Sequence, residues 1–324
     1  MRFGKKIFLL IVVILGLVVL AMVIVNMPVS YMELEDKSVL SLRERIAVLD
    51  ERIANQPDNF QLREQTGRII FQYHLEDAKA RGAVEDSLPF LLEAEDQKAC
   101  LLLAHGFTAT PWENRELAEY LNKFGVTVLG VLLAGHGTKY EDLRPGKWTD
   151  WYATVELGYK ALGYLCDGEV FVGGISSGGA LALRLAANKE VKGVISMAAI
   201  VDFVDQNARY AGFLQYFMPY MTPDLDEADK GHYYEKRSMA AISQLWKLSR
   251  DYPKDLGKIT APILVVQFDH DPTSEPKNAQ TIYYSVSSED KRLVYFQGSE
   301  HVLTKSGKKE EVFKKVEEFL LAHM

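Results

Sequence analysis

Residues 169–188, EVFVGGISSGGALALRLAAN, contain the pattern that decides the fold. The first part is a short apolar run typical of a buried strand, and the last part has the composition of a helix. The turn between them, residues 174–178, has the form G-x-S-x-G with Ser176 at its centre. This arrangement predicts a nucleophile elbow, in which a strained strand-to-helix turn exposes a serine hydroxyl. A purely structural or phosphate-binding turn is less favoured, because the turn lacks a Lys and a G-x-G-x-x-G spacing.

Strand-like runs alternate with helical patterns on both sides of this turn. The alternation predicts an α/β fold with a mostly parallel sheet and helices on both faces. The predicted strands are residues 99–104, 126–133, 169–173, 191–198, 262–267 and 291–296, and the predicted helices are residues 114–123, 150–165, 178–188 and 308–322.

A serine hydroxyl needs a base to take its proton, and a histidine oriented by a carboxylate supplies one. Asp271 follows the fifth predicted strand and His301 the sixth, so the chain order is Ser, Asp, His. Asp269 is the rival acid. We prefer Asp271, because Asp269 lies so near the strand end that it has less reach towards the histidine.

Charge stabilisation in acyl transfer needs backbone N–H donors for the developing oxyanion. Ser177, the residue after the nucleophile, supplies one, and we assign the second to Phe107 in the loop after the first strong strand. His105 and His136, which adjoin glycines, are interpreted as residues that organise their loops.

The composition excludes several classes of protein. Of the 324 residues, 48% are hydrophobic and 25% are charged, which is typical of a globular protein. The net charge of −7 without a basic patch argues against nucleic acid as a partner. Two cysteines and seven histidines without ligand spacing give no support for a metal site, and no cofactor is predicted.

Residues 7–25 form an unbroken apolar run that, as a helix, would reach ~28 Å, close to the thickness of a bilayer core. A cleaved signal peptide is less favoured, because the run is long and no A-x-A site follows it. Arg2, Lys5 and Lys6 precede the run. Residues 1–26 are therefore predicted to be a single-pass membrane anchor, with a cytoplasmic N-terminus and an extracytoplasmic catalytic domain.

Residues 27–87 carry two helical patterns and are predicted to be a helical linker or stalk. A partner-binding hairpin is the alternative. A spacer that packs on the catalytic domain is favoured, because helical repeats need about three copies for stability and only one is found.

The motifs together resemble the α/β-hydrolase superfamily, and within it the serine carboxylesterase and monoacylglycerol-lipase branch. The resemblance covers about residues 88–324 and rests on LLLAHGFTATP at 101–111, GHGT at 135–138, WTDW at 148–151, the Ser176 elbow, Asp271-Pro272 and Ser299-Glu300-His301. It implies an α/β-hydrolase fold and ester hydrolysis through an acyl-serine, with Ser176, Asp271 and His301 as the triad. The branch usually has an apolar residue after the serine, where this chain has Ser177.

Residues 200–259 are far longer than an ordinary crossover and are predicted to form a cap. Five of their aromatic residues would share one helical face, namely Tyr210, Phe213, Tyr216, Phe217 and Tyr220. Such a stripe more often packs in the core than lines a ligand site. A cap must nevertheless bury a face over the sheet edge, so we predict an apolar acyl pocket lined by Tyr210, Phe213 and Phe217.

In a fold of this family, the strands of Leu101 and Phe171 are neighbours, so Cys100 and Cys166 would lie close together near the ends of those strands that face away from the active site. A disulfide is one outcome in an oxidising exterior. Two buried free thiols are the expected one, because Cys is commonly buried without bridging.

The sequence as a whole predicts a membrane-anchored serine hydrolase for esters of short to medium acyl length, including lipid-derived esters such as monoacylglycerols. Acyl transfer and peptide cleavage use the same triad and stay open, as does a non-catalytic binding module that retained the fold. Protein partners are not predicted.

Overall fold

The computed structural model of the protein describes residues 37–167, 169–223, 225 and 230–324. Its α-helices are α1 Lys37–Asn55, α2 Phe60–Ala80, α3 Trp112–Asn122, α4 Trp148–Leu165, α5 Ser177–Ala186, α6 Ala211–Leu214, α7 Met239–Asp251, α8 Lys277–Ser285 and α9 Lys309–Leu321. Its strands are β1 Phe90–Leu92, β2 Ala99–Ala104, β3 Val126–Val131, β4 Val170–Ile175, β5 Gly193–Met197, β6 Tyr220–Met221, β7 Arg237–Ser238, β8 Ile263–Phe268 and β9 Lys291–Phe296. Short 3₁₀ helices span Glu85–Ser87, Tyr140–Leu143, Gln206–Tyr210, Tyr252–Lys258 and Leu303–Lys305.

Within the described residues, the main sheet has seven strands in the order β1-β3-β2-β4-β5-β8-β9. Strand β1 is antiparallel to β3, and the other neighbours pair in parallel. The carboxyl ends of β4, β8 and β9 therefore lie on the same edge of the sheet, which is where ligands bind in such folds. The prediction of a mostly parallel sheet is confirmed.

Helices cover both faces of this sheet, as predicted. One hydrophobic core contains buried side chains of α4, α5 and α7. The other lies under α3 and α9. Strands β2, β4 and β8 are buried along their whole length, which explains why each is a continuous apolar run rather than an alternating one.

The predicted boundaries differ from the observed ones by two residues or fewer. One difference has a clear cause. The apolar run of β3 extends to Leu133, yet the strand ends at Val131. The N–H of Leu132 donates to His74 Nε2 and the N–H of Leu133 donates to His105 Nε2, both at 3.1 Å, so neither N–H is available to the sheet.

Helices α1 and α2 form a hairpin that packs on α4. Gly67 of α2 permits the close approach, since a Cβ there would lie 2.7 Å from the carbonyl oxygen of Ala161. Arg63 Nη1 pairs with Asp167 at 2.6 Å, and Asp50 accepts hydrogen bonds from Lys160 and Tyr164. These contacts are those expected of a spacer that packs on the catalytic domain. The predicted domain boundary at residue 87 stays a prediction.

Cys100 and Cys166 form a disulfide. The expectation of two free thiols was therefore wrong. The two residues lie at the start of β2 and the end of α4, where the sheet and the helix covering it converge, and their Cα atoms are 6.2 Å apart. That separation lies in the usual range for bridged cysteines.

The predicted membrane anchor, residues 1–26, lies outside the described residues. Among the residues that the structure does describe, no helix combines the length and the apolar composition needed to cross a bilayer.

The aromatic stripe predicted in the cap does not form a single helical face. Helix α6 ends at Leu214, and Tyr210, Phe213 and Phe217 are 49%, 65% and 69% exposed. Helix α7 supplies the buried face of this segment instead, through Met239, Ala241, Leu245 and Leu248.

Candidate active site

Ser176 lies in a strained turn between β4 and α5. Its backbone has φ 56° and ψ −116°, a conformation that L residues rarely adopt and that persists only when the surroundings enforce it. The glycines of the turn explain how it is enforced. A Cβ on Gly178 would lie 2.1 Å from the carbonyl oxygen of Ala104, so only glycine lets α5 begin this close to β2.

Asp271 and His301 are brought together at the carboxyl edge of the sheet. His301 Nδ1 lies 2.8 Å from Asp271 Oδ2 and 3.0 Å from Oδ1. The Asp271 side chain is fully buried, and that of His301 is 18% exposed. This hydrogen bond requires Nδ1 to carry a proton, so in the neutral imidazole the lone pair is on Nε2.

Additional donors fix the Asp271 carboxylate. Its Oδ1 accepts the N–H groups of Thr273 at 2.8 Å and Ser274 at 2.9 Å, and Oδ2 accepts Gln267 Nε2 at 2.8 Å. These bonds compensate the buried negative charge and fix the plane in which the imidazole is held.

Asp269, the rival acid, is not against His301. It accepts the N–H of Gly298 at 3.0 Å and contacts His270 Nδ1 at 2.8 Å. The hydrogen bond with His270 holds the pKa of Asp269 below its ordinary value. Asp269 thus stabilises the loop that leads towards His301.

A hydrogen bond to the Gly106 carbonyl fixes the direction of the Phe107 N–H, which belongs to the same peptide. Leu133 N–H donates to His105 Nε2, so His105 carries its proton on Nδ1 and donates it to the Gly106 carbonyl at 2.8 Å. In a planar trans peptide the Phe107 N–H points opposite to that carbonyl. Ser177 is the first residue of α5, so its N–H has no intrahelical acceptor. Both predicted oxyanion donors therefore have backbone geometry suited to the role, and their assignment stays a prediction.

Three buried histidines lie beside the site and are kept neutral. Burial lowers the pKa of His74 and of His136 to about 4 and lowers that of His105 well below its usual value. His105 and His136 contact edge to face, with ring centroids 5.0 Å apart. His105 and His136 hold the 105–108 and 135–138 loops in place through their hydrogen bonds, in keeping with the sequence interpretation.

Comparison with known proteins identifies the family. The model of the alpha/beta hydrolase family matches residues 101–312. The chain belongs to the α/β-hydrolase family.

Two bacterial relatives show which branch of the α/β-hydrolases it resembles. A thermostable monoacylglycerol lipase of Bacillus sp. (strain H-257) is 36% identical over 234 residues, which cover 71% of this chain and 93% of the relative. A carboxylesterase of Bacillus subtilis (strain 168) is 32% identical over 237 residues, covering 72% and 95%. The chain is thus a hydrolase of the lipase and esterase type.

Solved structures agree on the fold. A structure from work on two metagenome-derived lipolytic enzymes superposes with a TM-score of 0.70 at 25% identity and covers 74% of this chain and all of its own. A soluble variant of monoglyceride lipase from Saccharomyces cerevisiae gives a TM-score of 0.63 at 17% identity, covering 73% and 92%.

The α/β-hydrolase core carries two features that the sequence interpretation missed. Glu113, in the first turn of α3, is only 1% exposed and accepts hydrogen bonds from Gly106 N–H and Tyr233 Oη. Tyr234 donates its hydroxyl to Gly135 O at 2.9 Å and accepts Thr138 N–H at 3.0 Å. The sequence signal was the Tyr233-Tyr234 pair inside an otherwise polar stretch of the cap, but its partners are too distant in the chain to be inferred.

Proposed function

We propose that this protein is a membrane-anchored serine hydrolase that cleaves carboxylic esters of short to medium acyl length, monoacylglycerols among them, through an acyl-Ser176 intermediate. The observation that carries the proposal is the hydrogen-bonded His301–Asp271 pair. It lies at the same edge of the sheet as the strained turn that contains Ser176. A buried carboxylate that fixes the histidine tautomer is what nucleophilic serine catalysis requires.

The reaction follows from these groups. Ser176 Oγ attacks the ester carbonyl carbon while His301 Nε2 takes the hydroxyl proton, and the N–H groups of Phe107 and Ser177 stabilise the oxyanion. His301 then gives that proton to the departing alcohol as the ester C–O bond breaks. Water attacks the acyl-serine with His301 again as base, which releases the acid and restores Ser176.

Two observations support esters as the substrate class. The relatives at 36% and 32% identity are named as a monoacylglycerol lipase and a carboxylesterase. The cap also presents Tyr210, Phe213 and Phe217, which are large apolar side chains of the kind that contact acyl chains.

The apolar run at residues 7–25 and the positive charges before it support a single-pass anchor with the catalytic domain outside the cytoplasm. The Cys100–Cys166 disulfide is in keeping with this location, because disulfides persist mainly in oxidising compartments.

Labelling with a fluorophosphonate tests the nucleophile. We expect the purified full chain to be labelled, the Ser176→Ala variant not to be, and hydrolysis of p-nitrophenyl esters to be lost with the label. A graded series of p-nitrophenyl esters and monoacylglycerols then defines acyl length by kcat/KM. An unlabelled wild-type protein that is correctly folded would refute the proposed mechanism.

A further inference from the structure

Glu113 is a buried carboxylate that joins the oxyanion loop to the cap. Its Oε2 accepts the N–H of Gly106 at 2.6 Å, and its Oε1 accepts the hydroxyl of Tyr233 at 2.5 Å. A buried carboxylate is costly unless its oxygens are hydrogen-bonded, and here each oxygen has a donor. One donor lies 7 residues before Glu113 in the chain and the other 120 residues after it.

The contact with Gly106 bears directly on the oxyanion donor. The two peptides on either side of Gly106 are both fixed. The first, between His105 and Gly106, is held through its N–H by Glu113, and the second is held through the Gly106 carbonyl by His105 Nδ1 at 2.8 Å. The second peptide carries the Phe107 N–H, so its direction depends on both anchors.

The space around Gly106 supports the same view. A Cβ at this position would lie 3.1 Å from Glu113 Oε2, so the glycine lets the carboxylate approach the loop backbone closely. Loss of the carboxylate would leave the Gly106 N–H buried without its acceptor and the loop free to rotate.

The first turn of α3 also contacts the other side of the site. Trp112 stacks on His232 with ring centroids 3.9 Å apart, next to the Tyr233 contact. Thr304 Oγ1, in the segment after His301, donates to the carbonyl oxygen of Glu113 at 2.5 Å. The residue pair 112–113 therefore contacts the oxyanion loop, the cap and the His301 segment at once.

Burial raises the pKa of Glu113 above its ordinary value, and the hydrogen bonds from Tyr233 and Gly106 offset only part of that rise.

We propose that Glu113 is a positioning residue for ester hydrolysis: it holds the oxyanion loop through Gly106 and couples that loop to the cap through Tyr233. The inference rests on the proposed function, because it assigns the Phe107 N–H as an oxyanion donor. It adds that the position of the cap and the alignment of the oxyanion hole are linked through one carboxylate.

The test compares full-chain Glu113→Ala, Glu113→Gln and Tyr233→Phe variants on p-nitrophenyl butyrate. For Glu113→Ala we expect kcat to fall about ten- to a hundredfold with KM within threefold, somewhat less than the ~10²–10³ that removal of an oxyanion donor costs. Glu113→Gln is expected to recover at least about a third of kcat, because its amide oxygen can accept Gly106 N–H while its amide nitrogen donates to Tyr233. Tyr233→Phe is expected to lower kcat about three- to tenfold, the effect of one hydrogen bond.

Tyr120→Phe is the matched control. Tyr120 also donates its hydroxyl to a carboxylate, that of Glu317, but at the contact between α3 and α9 rather than in the site. Its kcat is expected to stay within twofold of wild type.

The outcomes separate this inference from the proposed function. An unlabelled, inactive wild type refutes the function itself. If the wild type is active and a folded Glu113→Ala variant keeps its kcat within twofold of wild type, the positioning role alone is refuted. Where Glu113→Ala does not fold, Tyr233→Phe decides: a selective loss of kcat supports the coupling, and a kcat equal to that of Tyr120→Phe overturns it.

Discussion

Asp271 determines which nitrogen of His301 carries the proton. Asp271→Asn would replace one acceptor oxygen with an amide donor, which favours the tautomer whose Nε2 is protonated and cannot accept the serine proton. We expect kcat to fall about 10⁴-fold. Steady-state kinetics on p-nitrophenyl butyrate measures the change.

Asp269→Asn is the control for that variant, because Asp269 lies two residues away and bonds Gly298 and His270 instead of His301. Its kcat is expected to remain within about threefold, as for a surface-loop change. Equal losses in the two variants would show that the acid is wrongly assigned.

His74 gives a prediction for pH dependence. Its ring is buried and accepts Leu132 N–H at 3.1 Å, and burial lowers its pKa from 6.5 to about 4. The unfolded chain binds a proton below 6.5 that the folded protein binds only near 4. The contribution to stability is therefore complete above pH 6.5 and is lost as pH falls towards 4, by about 3 kcal/mol for one such group.

His74→Gln removes this titration while the amide oxygen can still accept Leu132 N–H. We expect the midpoint of urea unfolding to fall less between pH 6.5 and 4.5 in the variant than in wild type. Part of the fall should remain, because the pKa of His136 is lowered in the same way. Parallel pH profiles for the two proteins would contradict the assignment.

The individual side chains differ in how readily the sequence reveals them. Ser176, Asp271 and His301 each follow a recognisable strand, so their placement at one edge of the sheet could be inferred from topology alone. Glu113 could not be found in this way. An acidic residue in the first turn of a helix is ordinarily explained by the helix dipole and solvent exposure. Its burial depends on Gly106 and Tyr233, which only the folded chain brings to it.

The disulfide joins β2 to the end of α4 and closes a loop with a sequence separation of 66. A cross-link of this span restricts the unfolded chain, and the chain-entropy estimate for it is about 4 kcal/mol. We expect a Cys100→Ala/Cys166→Ala double variant to lose about 2–4 kcal/mol of unfolding free energy in urea. Wild type treated with a reductant is the control, because it loses the bridge but keeps both cysteine side chains. Reduced and oxidised wild type with equal midpoints would rule out a stabilising bridge.

Helices and strands were predictable where the apolar pattern and the tertiary contacts agree, as in β2 and β4, which are buried throughout. The prediction failed in the cap. There the aromatic spacing indicated a helix through residue 220, but α6 ends at Leu214 and the chain enters the β6–β7 pair instead. A periodic pattern alone cannot show that a neighbouring segment competes for the same backbone hydrogen bonds.

The organisation of the whole chain can be tested by two truncations. Residues 27–87 were predicted to be a helical linker that packs on the catalytic domain, and α2 buries Leu62, Ile69 and Ile70, while His74 accepts a hydrogen bond from Leu132. Burial of three such aliphatic side chains contributes about 5–9 kcal/mol, which is comparable to the stability of a typical domain. Deletion of residues 1–87 is therefore expected to abolish stable folding. A stable, active protein without residues 1–87 would show that the catalytic domain does not depend on this packing.

Deletion of residues 1–26 is expected to leave kcat within twofold and to move the protein from the carbonate-washed membrane to the soluble fraction. A protein that lacks residues 1–26 and stays in the membrane would show that residues 7–25 are not the anchor.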